Sequence, residues 1–343
     1  MSPTVTTPAQ TVGRQPLVGV WLLIVCAAVF AMILVGGATR LTDSGLSITE
    51  WDLTKGLTPP LTAERWAEEF SLYQRTAEYQ LQNRGMSLAE FQYIYWWEWT
   101  HRFLGKMLGV LFAVPFFFFW ATGRLKGRFW PTLALFALGG AQGAIGWWMV
   151  TSGLWSGLDV SPYRLAVHLG MAFAIIGLSL WLALDAFQWP CKPSKLGAPL
   201  WAPAGLLVLL FAQILLGAVL AGADGGMAYA DWPTIGGAFW PHGAFEVQLS
   251  ADHAGQQLLH RSAGYLAGLA AVTLSVSAWA RGEGIARTAA LIVGGLAVLQ
   301  VVLGILTILT GSHLGLSLTH QLNAALLWLA AIVVMRTAVL SYR

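Results

Sequence analysis

The sequence predicts an all-α integral membrane protein with eight transmembrane helices, arranged as two pseudo-symmetric four-helix bundles, plus an external helical lid. Three observations support this fold class. Of the 343 residues, 57% are hydrophobic and only 10% are charged, a composition outside the range of soluble globular domains. Eight apolar stretches approach or exceed the roughly 20 residues that a helix needs to cross a bilayer. The chain also repeats a pattern of histidine, arginine and small residues in two halves.

The predicted spans begin around Leu17, Trp97, Trp130, Tyr163, Leu200, Gln257, Arg287 and Ser317. The first apolar run, 17–38, is similar to a signal peptide, but it is long enough to span and a later segment repeats it, so we count it as a helix. The two cysteines, Cys26 and Cys191, lie at different predicted depths, which argues against a disulfide between them.

The distribution of Lys and Arg predicts the orientation of the chain. Positive charges follow the second, fourth and sixth spans, whereas segments 153–162, 223–256 and 311–316 contain none. By the positive-inside rule, both termini are cytoplasmic and the other loops are external. The net charge of +3 is small and dispersed, so no basic patch indicates a nucleic-acid partner.

The long first external loop, 39–96, is predicted to form the lid. Its stretch 66–81 is amphipathic, and Ser87 with Glu90 forms a plausible capping box before a helix over 91–99. We therefore expect two external helices over the membrane domain.

Self-similarity divides the chain into an N-terminal half, 1–190, which includes the lid, and a C-terminal half, 191–343. Segments 96–115 and 255–274 both contain a His-Arg pair followed by small residues at helical spacing. A Gln-x-x-x-Gly element also occurs in the third helix of each half, at Gln142 to Gly146 and at Gln300 to Gly304.

Four histidines occupy matched positions in this repeat, namely His101, His168, His260 and His320. Each lies in the first turns of an even-numbered span, so the four side chains are expected at similar depth near the external face. Two pairs of facing histidines are what two bis-histidine haem sites require. An isolated intramembrane histidine is otherwise a hydrogen-bonded packing residue, but four at equivalent positions favour function, because ionisable groups in a membrane are costly. Zinc is the other candidate, yet the chain has no Cys-x-x-Cys or His-Glu-x-x-His pattern.

The halves differ three residues before the first histidine, where Glu98 precedes His101 but Gln257 precedes His260. A carboxylate beside one haem suggests proton-coupled chemistry in the N-terminal site and electron transfer in the C-terminal site. The alternative is that Glu98 only pairs with Arg102 or another cation.

Other charged and ionisable residues lie near the same external boundary. Four arginines are candidates to pair with haem propionates, or are snorkelling interface residues: Arg40, Arg102, Arg164 and Arg261. Three histidines lie in predicted external loops, where a solvated role is expected: His242, His253 and His313.

Motifs over nearly the whole chain resemble the haem A synthase family. They are GGATRLTDSGLSITEW (36–51), NRGMSLAEF (83–91), EWTHR (98–102), RLAVHLG (164–170), LLHRSAGY (258–265) and LTHQLNA (318–324). Some bacterial members have a cysteine pair in the first external loop, which this chain lacks, so it is similar to the longer-loop branch of proteobacteria and mitochondria.

The resemblance implies an oxidoreductase acting on a CH group, which oxidises the position-8 methyl of haem o through successive hydroxylations to a formyl group, giving haem a for cytochrome c oxidase assembly. It implies that His101 and His168 hold the substrate or product haem, that His260 and His320 hold a resident haem b, and that Glu98 is catalytic. Membrane lipid, haem o synthase and an electron-transfer partner are the expected contacts, and a homo-oligomer stays open.

Two other functions are compatible with a multispan haem protein. One is a haem b electron-transfer cytochrome, which four histidines near one face disfavour, since conduction across the membrane needs haems at both faces. The other is a haem or quinol transporter, for which inverted repeats are usual and parallel repeats less so.

Overall fold

The computed structural model describes residues 13–50, 56–190 and 194–341, so Trp51 and Cys191 lie outside the described residues. The described residues form helices α1 (Pro16–Leu41), α2 (Ala63–Tyr73), α3 (Ala77–Leu81), α4 (Leu88–Ala121), α5 (Phe129–Ser156), α6 (Pro162–Ala186), α7 (Trp201–Gly222), α8 (Gly225–Ala228), α9 (His253–Arg281), α10 (Gly284–Leu309) and α11 (Leu314–Ser341). Eight of these helices are long and apolar enough to cross a membrane, which confirms the predicted all-α membrane class: α1, α4, α5, α6, α7, α9, α10 and α11.

Successive spans run in opposite directions, so the first loop and segments 157–161, 223–252 and 310–313 share one end of the bundle, here called the lid end. Seven of the eight spans begin within a few residues of the predicted positions. The exception is α4, which begins at Leu88, nine residues before the predicted start at Trp97.

Helices α1, α6, α7 and α11 form the centre of the bundle and join the two halves. The indole of Trp328 on α11 donates to the Phe173 carbonyl on α6 at 2.8 Å. Gln321 on α11 donates to the Ile33 carbonyl on α1 at 2.8 Å, and its side chain fills the space where Gly37 has no Cβ. A larger residue at position 37 would overlap this amide, so glycine sets the α1 to α11 spacing.

At the end opposite the lid, one acidic residue joins three helices. Asp185 near the end of α6 forms ion pairs with Arg128 before α5, at 2.9 Å, and with Arg336 on α11, at 3.2 Å. Both arginines are buried. Because an unpaired buried cation is costly, this cluster fixes the register of the three helices.

The lid is built around an aromatic cluster that packs against the first turns of α4. The predicted capping box is present, since the Ser87 hydroxyl accepts from the Glu90 amide and the Glu90 carboxylate accepts from the Ser87 amide. The predicted separate helix over 91–99 is wrong, because α4 continues unbroken into the membrane. No glycine or proline occurs between Leu88 and Leu104, where the lid meets the membrane span. The 34 residues of α4 extend about 51 Å, roughly 20 Å beyond the hydrocarbon core.

The predicted helix over 66–81 is also divided in two. Helix α2 ends at Tyr73, and Thr76 starts α3 by accepting the Tyr79 amide on its side-chain oxygen at 3.2 Å. The threonine side chain thereby satisfies one of the backbone donors that the start of a new helix leaves unpaired. The short α3 then places Glu78 beneath the lid.

We predict that the lid loses stability as the pH rises through neutrality. Glu78 is only 4% exposed, and burial, followed by the negative charge of Glu98, raises its pKa from 4.5 to about 8. Because the folded pKa lies above the unfolded one, the stabilising contribution is complete below about pH 4 and is lost as the pH rises toward about 8. Hydrogen exchange of α3 peptides, corrected for intrinsic rates, measures this slope.

Glu78→Gln should flatten the slope, because an amide does not titrate. Glu64→Gln is the matched control, since Glu64 is an exposed residue of α2. A lid whose protection is independent of pH in the unsubstituted chain would contradict the prediction.

Candidate functional site

The histidines of the C-terminal half face each other across the bundle. The ring centroids of His260 and His320 are 6.5 Å apart with an interplanar angle of 69°. Two imidazoles on opposite sides of one metal, each at a bond length of about 2 Å, have centroids separated by roughly 6 Å. The pair is therefore spaced to accept one metal atom between the rings.

A site with two histidine ligands favours haem iron over a metal ion bound only by the protein. Within the described ranges, no group of three or more His, Cys, Asp or Glu side chains is placed to hold a metal. A structural zinc site needs four protein ligands, whereas haem iron takes two axial ligands and its remaining four from the porphyrin. A pair of histidines thus fits haem and does not fit structural zinc.

Each of the four histidines lies against a glycine of the preceding span. A Cβ on Gly36, Gly146, Gly217 or Gly304 would lie 2.8, 3.0, 2.9 or 3.1 Å from the Cε1 atom of His101, His168, His260 or His320, respectively. Because no larger residue fits at that distance without moving the ring, glycine allows the imidazole to lie close to the neighbouring backbone. The same contact occurs in both halves, so the four rings are held in the same way.

Glutamine side chains accompany three of these contacts, four residues before the glycine. The amide nitrogen of Gln213 lies 3.1 Å from Nδ1 and 3.3 Å from Nε2 of His260. The amide nitrogen of Gln300 lies 3.3 Å from Nδ1 and 3.1 Å from Nε2 of His320. Gln142 instead donates to the His168 carbonyl at 3.0 Å and lies 3.4 Å from the Nε2 atom of the ring. The residue four positions before Gly36 is Met32.

The Glu98 side chain holds the backbone of the first loop. It is 3% exposed, and its Oε2 atom accepts hydrogen bonds from the Ser47 hydroxyl and the Ile48 amide, both at 2.7 Å. Its Oε1 atom lies 2.6 Å from the Arg102 guanidinium. Arg102 also donates to the carbonyls of Ile48 and Glu50, at 2.9 and 3.0 Å. The two hydrogen bonds and the ion pair hold the Glu98 side chain in one orientation, one helical turn from His101.

Gln257 occupies the equivalent position in the C-terminal half, where it donates hydrogen bonds to the neighbouring loop, whereas Glu98 accepts them. It is fully buried, and its amide nitrogen donates to the carbonyls of Gly225 and Tyr229 at 2.8 and 3.1 Å. Its carbonyl oxygen accepts from Arg261, which also donates to the Thr234 carbonyl at 2.8 Å. The acid is therefore placed where the loop offers donors, and the amide where the loop offers acceptors.

The sequence is similar to known proteins over nearly the whole chain. The profile of the cytochrome oxidase assembly protein family, COX15-CtaA, matches residues 19–332. A haem A synthase from Maricaulis maris is 47% identical over 337 residues, covering 96% of this chain and 98% of that protein. The haem A synthase of Parvibaculum lavamentivorans is 44% identical over 94% of both chains. One from Rhizobium rhizogenes is also 44% identical, over 90% of this chain and 86% of that protein.

The chain belongs to the haem A synthase family. Within a haem A synthase framework, the four predicted arginines all lie at the lid end, and each has protein partners. Arg40 pairs with Asp43 at 2.7 Å and Asp224 at 2.8 Å, which joins the first loop to the segment after α7. Arg164 donates to the Trp148 carbonyl at 2.7 Å and lies over the Trp148 ring. Propionate binding by any of them stays a prediction.

The other histidines of this haem A synthase family member stand apart from the two pairs. His253 is the first residue of α9, and His313 immediately precedes α11, one helical turn or more from the paired rings along each helix. His242 lies in the segment between α8 and α9. No ligand role is assigned to them.

Sequence reasoning missed two features of the site. It identified the Gln-x-x-x-Gly elements of α5 and α10 but not the third copy, Gln213 to Gly217 in α7. It also assigned no role to Gly36. Both were detectable from the repeat, which aligns α1 with α7, the spans that precede the histidine helices α4 and α9.

Proposed function

We propose that this chain oxidises the position-8 methyl group of haem o to a formyl group and so produces haem a. The observation that carries the proposal is that all four histidines lie against a glycine of the preceding span, while only the N-terminal half has a carboxylate one helical turn before its first histidine. His101 and His168 are assigned to the substrate haem, and His260 and His320 to a resident haem b. The family relationship favours this activity over a simple cytochrome or a transporter.

Glu98 is assigned as the acid–base group of the reaction. With water as the source of the oxygen atom, conversion of a methyl group to a formyl group releases four protons and four electrons. The electrons would leave to a separate partner, and a carboxylate close to the substrate pair can accept one of the protons. Arg102, Ser47 and Ile48 orient both carboxylate oxygens, which keeps the group in one position. Gln257 at the equivalent place cannot serve as a base.

Haem b between His260 and His320 would supply one-electron redox chemistry. The chain's own contribution at this site is to fix the two imidazoles and to exclude a proton acceptor. Gly217 and Gly304 hold the rings close to the backbone, and Gln257 leaves no carboxylate beside them. These features suit an electron carrier better than a reaction site.

The two halves also differ in how open they are to lipid. Helices α9 and α10 pack along their length, whereas α4 and α5 make little contact. A Cβ on Gly268 of α9 would contact Val301 of α10 at 3.4 Å, while a Cβ on Gly109 or Gly143, at the equivalent positions, would meet nothing within 4 Å. This gap supports lateral entry of haem o, with its isoprenoid tail between α4 and α5.

We predict that Gly143→Val, which installs the C-terminal residue in the N-terminal half, lowers haem a formation by about tenfold, equivalent to roughly 1.4 kcal/mol of lost substrate binding. Resident haem b, measured by its reduced absorbance spectrum, should be unchanged. Gly295→Val is the control, because Gly295 also faces open space but lies on α10. Equal activity in the two variants would refute lateral entry at this gap.

Pigment extraction tests the proposed activity directly. The full chain is co-expressed with a haem o source, and the bound haems are separated by chromatography. Haem b together with haem o, haem a or an oxidised intermediate is the expected result. Haem b alone would overturn the proposal and favour an electron-transfer cytochrome.

We also propose how the chain is oriented in the membrane and which proteins it works with. We place the lid end on the periplasmic side of the inner membrane with both termini in the cytoplasm, as the charge distribution predicts. Haem o would be received within the membrane from haem o synthase, and electrons would pass to a separate partner.

A further inference from the structure

The lid contains a buried carboxyl group, that of Glu78 on α3. Its side chain is 4% exposed, and its Oε2 atom is buried without a hydrogen-bond partner among the described residues. The Oε1 atom of Glu98 likewise accepts no hydrogen bond there, although it forms the ion pair with Arg102. In the part of the chain that the structure describes, these are the two carboxyl groups with such an oxygen. Each therefore has an oxygen that can take up a proton.

Glu98 is the charged group that acts most strongly on Glu78. Burial raises the pKa of Glu78 from 4.5 to about 8, and the negative charge of Glu98 is the next largest cause. Asp159, before α6, and Asp43 in the first loop raise this pKa further, whereas Tyr73 of α2 lowers it through a side-chain hydrogen bond. A carboxyl group with a pKa near neutrality can both accept and release protons at physiological pH.

Glu78 also lies next to the exposed side of the lid. The Tyr73 hydroxyl, which interacts with the Glu78 carboxyl, accepts a hydrogen bond from the Asn83 side-chain amide at 2.7 Å. Asn83 lines a cavity of about 580 Å³ whose wall includes exposed residues of the lid. Ile94, one helical turn before Glu98, lines the same cavity. The structure therefore places Glu78 close to both Glu98 and a cavity at the lid surface.

We propose that Glu78 receives the protons that Glu98 takes up during methyl oxidation and releases them to water on the lid side. The inference rests on the proposed function, because it needs Glu98 to accept protons from the reaction. Each transfer moves one proton and no electron. Glu98 returns to a carboxylate as Glu78 becomes a carboxylic acid, and water in the lid cavity then takes the proton from Glu78. Glu78 acts only through Glu98 and does not touch the substrate.

The charge of Glu98 couples these two steps. While Glu98 is ionised, its negative charge helps Glu78 to keep a proton. When Glu98 accepts a proton from the reaction, that charge is lost and the pKa of Glu78 falls, so Glu78 releases its proton to the cavity. The resulting Glu78 carboxylate then accepts the proton from Glu98. Proton uptake at the substrate site thus triggers proton release at the lid.

The first test compares two substitutions of Glu78 in the full chain, co-expressed with a haem o source. Glu78→Gln keeps the shape of the side chain but cannot carry the proton, whereas Glu78→Asp keeps a titratable carboxyl on a shorter side chain. We expect Glu78→Gln to lower haem a formation by about tenfold or more and Glu78→Asp to lower it less. A purely structural role predicts the opposite order, because the amide fills the space of the carboxyl and the shorter acid does not.

Glu64→Gln, on the exposed surface of α2, is the control for these variants and should leave haem a formation unchanged. Gel filtration and hydrogen exchange of α3 peptides show whether each variant keeps the lid folded.

The second test measures the coupling of the two carboxyls without turnover. The infrared difference spectrum between the unsubstituted chain and Glu78→Gln isolates the carbonyl stretch of protonated Glu78, which should titrate near pH 8. When both chains also carry Glu98→Gln, the midpoint should move to lower pH by up to about 1 unit, because the neighbouring charge is absent. The pH dependence of hydrogen exchange in α3 reports the same shift without a substitution of Glu78. A midpoint that does not move would overturn the inference.

These outcomes separate the inference from the proposed function. An unsubstituted chain that makes no haem a contradicts the proposed function, whereas the infrared midpoint needs no product. Haem a formation that is unchanged in Glu78→Gln, or lower in Glu78→Asp than in Glu78→Gln, contradicts the inference alone.

Discussion

Glu98→Gln is expected to lower haem a formation by at least about 100-fold, the usual size of an acid–base contribution, while both haems stay bound. The amide cannot accept a proton, and it lacks the charge that pairs with Arg102. The histidines are untouched, so haem binding should persist. Chromatography of extracted haems measures product, and the reduced absorbance spectrum measures occupancy.

Glu98 also holds the first loop through Ser47 and Ile48, so this structural role needs a separate control. Ser47→Ala removes one hydrogen bond to the carboxylate but leaves its charge and Arg102 in place. We expect a much smaller loss of product in this variant. If Ser47→Ala and Glu98→Gln lose product equally, Glu98 holds the loop and is not the acid–base group.

His260→Ala is expected to remove the resident haem b and, with it, product formation. The remaining His320 supplies one ligand where a pair spaced at 6.5 Å is needed. His101→Ala should retain haem b but make no haem a, since it disrupts only the substrate pair. Pyridine haemochrome analysis after purification distinguishes these outcomes.

His313→Ala is the matched control for both substitutions. His313 lies at the lid end beside α11 but outside the pairs, so its loss should leave haem content and activity unchanged. Retention of haem b in His260→Ala would refute the division of roles between the two halves.

Sequence reasoning predicted the eight spans and singled out the four histidines that share a glycine contact, because both depend on strong, periodic signals. Hydropathy sets the spans, and the repeat aligns His101 with His260. It failed on the boundary of α4, where the helix leaves the membrane without changing its local conformation. A change in composition shows where a chain passes from water into the membrane. Where a helix begins is shown instead by a capping residue, such as Ser87 before α4.

Contacts between helices near the histidines lay beyond sequence reasoning for a different reason. Asn323 looks like an ordinary helix residue, and only the structure shows that its side chain donates to the Gln300 oxygen and the Leu296 carbonyl of α10. The sequence likewise did not show why position 257 carries an amide. In the structure, the Gln257 nitrogen donates to the carbonyls of Gly225 and Tyr229. Such contacts depend on loop conformation, which local patterns do not determine.

The tandem glycines at the end of α1 have a consequence for genetic dissection of the protein. Gly36 lies against His101 of one half, while Gly37 lies against Gln321, the neighbour of His320 in the other half. The two glycines are encoded by adjacent codons, yet each supports the helix of a candidate histidine in a different half. A lesion mapped to the first helix can produce the phenotype of either half, so the position of a mutation in the gene does not identify the site it impairs.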